Sequence, residues 1–154
     1  MKVIYPPNKA KIDKTKKSIF LAGSIEMNRA IDWQSEVIKS LTEYDVTIFN
    51  PRRLDWDSSW KQEMNDPNFF IQVDWELDRL EECDIVIMYF DITTKSPITL
   101  MELGLFASSN KLIVCCPTGF WRKGNVDMVC QRENIKQVDS LEELIKTLQL
   151  LLPK

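Results

Sequence analysis

Residues 84–106 read Asp84-Ile-Val-Ile-Met-Tyr-Phe-Asp-Ile-Thr-Thr-Lys-Ser-Pro-Ile-Thr-Leu-Met-Glu-Leu-Gly-Leu-Phe106. The unbroken apolar run from Asp84 to Phe90 is the pattern of a strand covered on both faces, and Pro97 suits the first turn of a helix running to Ser109. The same alternation extends outward in both directions. Strands are expected at Ser18–Gly23, Val46–Phe49, Lys111–Cys116 and Ile135–Val138, with helices at Asn28–Leu41, from Phe69 to about Glu82, from Asn125 and from Ser140. Ser140 followed by Glu143 reads as a capping box. Five near-continuous apolar strands alternating with amphipathic helices predict a parallel sheet covered on both faces, a three-layer α/β sandwich.

Two segments stand outside this rhythm. Residues 1–17 carry two prolines and six lysines without an apolar period, and read as a loose leader before a single domain of residues 18–154. Residues 51–68 are long for a connection and hold Trp56 and Trp60, which marks a lid or binding loop.

Composition removes several classes of function. The 154 residues include no histidine, which excludes Ser-His-Asp and Cys-His nucleophile systems, histidine-ligated metals and imidazole bases. Twenty Lys+Arg against 23 Asp+Glu, a net charge of −3 with both signs interspersed, do not make a basic stripe for duplex nucleic acid. The four cysteines have no CxxC spacing, so neither a zinc site nor a disulfide framework is indicated. Neither a signal peptide nor a run of about 18 apolar residues is present. A cytoplasmic protein with reduced thiols and no membrane partner is expected. G-x-G-x-x-G and G-x-x-x-x-G-K-[ST] are both missing, which argues against NAD binding and P-loop hydrolysis.

In parallel α/β sheets ligands bind beyond the carboxyl ends of the strands, where the strand order reverses. The segments that should converge there are Gly23-Ser24, Asn50 to Arg53, Asp91 to Pro97, and Pro117 to Trp121. Their chemistry is acidic: Asp74 and Glu76 on one helix, Asp91 after the third strand, and Glu102 in the next helix. Carboxylates around one cleft, with no histidine or metal signature, are the equipment for glycosidic-bond chemistry. Asp74 and Glu76 also fit a solvated helix face, and Asp91 a loop cap. Glu102 differs, because nearly all its neighbours are apolar and a carboxylate there is costly unless paired or functional. Trp56 is placed to stack on a base or to close the loop on the core.

Phe20-Leu-Ala-Gly-Ser24, the acidic helix before Asp84–Asp91, and Pro97-Ile-Thr-Leu-Met-Glu-Leu-Gly104 together resemble the nucleoside 2-deoxyribosyltransferase family. Gly119-Phe-Trp-Arg-Lys-Gly-Asn-Val-Asp127 is similar to its nucleoside 2-deoxyribosyltransferase-like branch, and the resemblance spans about residues 18 to 138. It implies a five-stranded flavodoxin-like or Rossmann-like sheet, homo-oligomers that share sites between subunits, and no metal or organic cofactor. The implied substrates are a nucleoside or nucleotide and a free nucleobase. Glu102 matches the family nucleophile, which forms a covalent deoxyribosyl intermediate. The helix-borne acid corresponds to Asp74 by residue identity or to Glu76 by spacing from Glu102. Asn125 matches an asparagine that reaches the sugar hydroxyls from a neighbouring subunit, or is a plain helix cap.

Ser96 stands where the transferases often carry an aspartate, and Asp91 is a possible substitute. A related branch hydrolyses deoxynucleoside 5′-monophosphates and follows its Gly-Ser turn with an arginine that grips phosphate. Here Glu26 follows Gly23-Ser24-Ile25 and would repel it, leaving Arg52, Arg53 or Arg122 to supply charge. A non-catalytic nucleotide-binding module on the same sheet is the other reading.

Overall fold

The computed structural model describes residues 1–26, 29–53, 55 and 57–153. Its strands are β1 (Lys2–Ile4), β2 (Lys17–Gly23), β3 (Val46–Phe49), β4 (Ile85–Tyr89), β5 (Leu112–Cys115) and β6 (Lys136–Val138). The helices are α1 (Trp33–Ser40), α2 (Pro67–Glu82), α3 (Pro97–Phe106), α4 (Lys123–Arg132) and α5 (Leu141–Leu150). A 3-10 turn, Ala107–Ser109, extends α3.

All neighbouring strands pair in parallel, in the order β1-β3-β2-β4-β5-β6. The sheet therefore has six strands where five were expected. The sixth comes from the segment read as a leader: Lys2, Val3 and Ile4 pair with Thr47, Ile48 and Phe49, and Ile4 is buried. Three residues followed by prolines carry no usable period, and the pairing is supplied by the free edge of β3.

Alternation along the strands sorts the core onto two faces. Phe20, Ala22, Val86, Met88 and Val114 gather with Trp75 of α2, Leu103 of α3 and Val126 of α4. Ile19, Leu21, Ile85, Ile87 and Ile113 gather with Trp33 and Val37 of α1 and Leu144 and Leu148 of α5. Each large side chain buried this way is worth roughly 1.5–3 kcal/mol. Both core tryptophans also satisfy their indole N–H groups, Trp33 on the Ser24 carbonyl at 3.1 Å and Trp75 on the Asn8 carbonyl at 2.8 Å.

Capping residues move the helix starts. Asp32 accepts the Ser35 N–H at 3.3 Å, so α1 opens at Trp33, later than the expected Asn28, which lies outside the described residues. Asp66 accepts the Asn68 and Phe69 N–H groups and Pro67 takes the first helical position, so α2 opens earlier than Phe69. At α5, Ser140 accepts the Glu143 N–H while the Glu143 carboxylate accepts the Asp139 N–H. Among the described residues, no helix is long and apolar enough to cross a membrane.

The chain passes from β2 to β3 on one side and to β4 on the other. The crevice between the carboxyl ends of β2 and β4 is thus the switch point of the sheet.

Candidate active site

The turn leaving β2 is built for close approach. Gly23 has φ 146°, and a Cβ there would lie 2.4 Å from the Tyr89 carbonyl oxygen and 2.9 Å from a Trp33 ring carbon. Only glycine fits. Ser24 follows, buried, with its Oγ accepting the Asp91 N–H at 2.8 Å and the Thr94 hydroxyl at 2.9 Å and touching the Ser96 hydroxyl. Thr94 and Ser96 are themselves 2.8 Å apart. Gly23, Ser24 and Ser96 are thus brought together, as a buried hydroxyl cluster that stitches the turn after β2 to the loop after β4.

Asp91 serves the same stitching. Its Oδ1 accepts the Thr93 N–H at 2.8 Å and hydroxyl at 2.6 Å, and its Oδ2 accepts the Ile31 N–H at 3.1 Å. Burial pushes this carboxyl up, but the hydrogen bonds from Thr93 and Ile31 outweigh it and hold Asp91 below the usual carboxylate range. A carboxylate so engaged is a loop clamp.

Glu26 lies across the head of α3. Its Oε1 accepts the backbone N–H groups of both Lys95 and Ser96, with Glu26 at φ 39° and Ser96 at φ 46°. The amides that an external anion would seek at a helix N-terminus hold the protein's own carboxylate.

One turn and a half into α3 stands Glu102, buried at 7% exposure although it carries a carboxyl. Burial first, and the like charge of Glu76 second, push it up to about 8. Glu76, on α2, is itself pushed up to about 7 by burial, against the hydrogen bond from Gln72 Nε2 at 2.6 Å. Two helices that follow different strands thus place two desolvated carboxyls within electrostatic reach of each other. Carboxyls raised in this way keep their protons toward neutral pH.

Asp74 does not join them. Two helical positions are about 200° of rotation, so Asp74 and Glu76 cannot face the same way. Asp74 is part-exposed and pairs with Lys9 of the N-terminal segment at 3.1 Å.

The arginines after β3 hold the local chain. Arg52 Nη1 donates to the Ile31 carbonyl at 3.2 Å and to Gln34 Oε1 at 3.1 Å, and lies 3.7 Å from Asp32. Arg53 grips Asp55 with two hydrogen bonds of 2.8 and 2.6 Å and stacks 4.9 Å over Trp60. Trp56 lies outside the described residues. Asn125 falls inside the first turn of α4 instead of capping it, and lines a cavity of about 340 Å³ with Leu103, Gly104, Trp121 and Arg122. The Lys95 ammonium and the Arg122 guanidinium lie 4.4 and 4.3 Å from the ring centroid of Trp121.

Sequence reasoning missed Gln72. Its signal was present: a glutamine one turn before a glutamate on a helix is placed to hydrogen-bond it.

Solved structures share this fold. A structure described as a conserved protein from Enterococcus faecalis V583 aligns over 89% of this chain and 99% of its own, with 13% identity and a TM-score of 0.62. A CMP N-glycosidase of Clostridium botulinum aligns over 87% of this chain and 99% of its own, with 20% identity and a TM-score of 0.55. At these identities the likeness is one of fold. No curated protein matches in sequence. The sequence model of the family described as nucleoside 2-deoxyribosyltransferase like matches residues 16–120, which takes in β2 to β5, Glu76 and Glu102. The chain belongs to the nucleoside 2-deoxyribosyltransferase-like family.

Proposed function

We propose that the protein is an enzyme that cleaves or transfers the N-glycosidic bond of a nucleoside, with Glu102 as nucleophile and Glu76 as the acid at the base. The observation that carries this reading is the buried, raised carboxyl of Glu102 on α3, reached by the charge of the half-buried and likewise raised Glu76 on α2. An ionised Glu102 attacks C1′ on the face opposite the base. The C1′–N bond breaks with its electrons going to the base nitrogen, and Glu76 delivers a proton to the base. The resulting glycosyl ester on Glu102 is opened by a second base or by water, whose proton returns to Glu76. A sugar without a 2′-hydroxyl eases the oxocarbenium-like transition state, which favours deoxynucleosides. Incubation with deoxyadenosine or deoxycytidine, with and without acceptor bases, tests the reading. New nucleosides formed only with acceptor define a transferase, free base formed without acceptor a hydrolase, and tight binding without turnover the non-catalytic alternative.

Glu26 favours nucleosides over their 5′-monophosphates. Its carboxylate already occupies the amides of Lys95 and Ser96, and a phosphate brought beside it meets like charge. Wild-type protein is expected to prefer deoxycytidine to its monophosphate in kcat/KM. Glu26→Gln, which keeps an acceptor oxygen and loses the charge, should narrow that preference about tenfold. An unchanged ratio removes Glu26 from substrate selection.

The active form in this reading is a cytoplasmic homo-oligomer, with Asn125 offered to a neighbouring subunit's site. Supporting it, α3 leaves Ile98, Met101 and Leu105 more than half exposed, at 56%, 62% and 61%. An apolar stripe on the helix that carries Glu102 is what a partner copy would cover. Met101→Glu should convert the oligomer to monomers in light scattering, and lower activity with it. A monomeric wild type would refute this part of the reading.

A further inference from the structure

Gln72 is a buried polar group in direct contact with the proposed acid, and the mechanism above gives it no part. It is 3% exposed, and each end of its amide is fixed by a partner that tolerates only one orientation. At one end Nε2 donates to the Pro51 carbonyl at 3.3 Å, which requires a donor. At the other, Oε1 lies 3.5 Å from Arg53 Nη1, which requires an acceptor. Arg53 is itself immobilised by Asp55 and by Trp60. The orientation of the amide therefore follows from its surroundings, and it is the N–H side that meets Glu76 Oε1 at 2.6 Å.

That hydrogen bond constrains where a proton can sit. An oxygen that accepts the Gln72 N–H cannot also point an O–H along the same line. When Glu76 is protonated, Oε1 is the carbonyl oxygen and the proton belongs to Oε2. We infer that Gln72, locked by Arg53 and Pro51, is a positioning residue that assigns the proton of Glu76 to Oε2, the oxygen left to face the leaving base. The inference rests on the glycosidic-bond reading for its purpose, though its geometry does not. It also ties the loop after β3 to the acid, because Arg53 reaches Glu76 through this amide. Among the described residues, the charged groups that bear on Glu76 are Glu102 from α3 and, behind the Gln72 amide, Arg53.

The test is a titration of Glu76 in the substrate-free protein by carboxyl carbon NMR, assigned with Glu76→Gln and compared between wild type and Gln72→Met. Methionine keeps the size and removes the N–H, so the ionised form of Glu76 loses its donor. The midpoint should move to higher pH and the kcat/KM profile should follow it, while kcat falls about tenfold with KM little changed. A merely structural role would move thermal stability and leave the midpoint where it was. Should Gln72→Met fail to fold, Gln72→Glu offers no N–H when ionised and adds like charge, so the midpoint should again rise. A midpoint unmoved or lowered in the folded variant overturns the inference. Because the titration needs no turnover, an inactive wild type would overturn the enzymatic reading alone.

Discussion

Glu102→Gln is expected to lower turnover of the nucleoside substrate about ten-thousandfold, the scale on which loss of a covalent nucleophile is felt, while the protein stays folded. The amide has nearly the shape of the carboxyl and fills the same space below α3. What it lacks is a charge to attack C1′ and an oxygen able to carry the glycosyl group. The same substitution should raise stability, and the sign can be worked out. In the unfolded chain this carboxyl ionises near 4.5, whereas burial and then the charge of Glu76 hold it to about 8 in the fold. Between those values the folded state keeps a proton that the unfolded state has released, so stability falls as pH rises through the window. Above about pH 8 the full cost is present, and below 4.5 there is none. At about 1.4 kcal/mol for each unit of pKa difference the cost reaches a few kcal/mol, which the neutral amide of the variant would not bear. Denaturant melts of both proteins at pH 5 and pH 8 should therefore diverge at pH 8 and nearly coincide at pH 5. A variant that gains stability but keeps its turnover would leave Glu102 a buried acid without catalytic duty.

That contrast shows what sequence can and cannot disclose. The strands from β2 to β5 were legible because each is an apolar run covered on both faces, and the pattern needs no partner to be read. Glu102 was legible for a related reason: a lone carboxyl among Leu100, Met101, Leu103 and Leu105 breaks the pattern. β1 was not, because three residues gain their meaning only from the edge of β3. The same N-terminal segment touches one of the two helix acids. Residue identity pointed to Asp74 and spacing from Glu102 to Glu76, and the two stayed open because a helix does not announce which face it buries. Asp74 pairs with Lys9 while half-exposed, and it is the charge of Glu76 that reaches Glu102. Asp91 was read as chemistry because it is a carboxylate at a strand end, and its hydrogen bonds from the Ile31 N–H and from the Thr93 N–H and hydroxyl could not be read from sequence. Arg52 and Arg53 looked like phosphate grips for a similar reason. Their guanidinium groups hold carbonyl, amide and carboxylate groups of their own chain.

The acid at the base has the sharper signature in pH. The reactive form of the pair carries one proton, on Glu76, with Glu102 ionised. Glu76 is pushed up to about 7 and Glu102 to about 8, so of the two singly protonated forms the reactive one is the minor, and kcat/KM for wild type should still be a bell whose limbs fall in that region. Acidification protonates Glu102 and removes the nucleophile; alkalinisation strips Glu76 and removes the acid. Glu76→Gln should erase the alkaline limb, because no acid remains to be lost. It should also move the acid limb to lower pH, since the like charge that helped raise Glu102 is gone. For an ordinary purine or pyrimidine the rate should fall by roughly a hundredfold to a thousandfold, the usual range for general acid catalysis. For a 7-methylated purine nucleoside, whose base is cationic and leaves without taking a proton, the loss should be slight. That comparison separates the two duties a carboxyl could have in this position. An acid is dispensed with when the leaving group needs no proton, whereas a residue that merely shapes the pocket is missed equally by both substrates. Equal losses on the two nucleosides would assign Glu76 to binding and return the search for the proton donor to the base itself or to water.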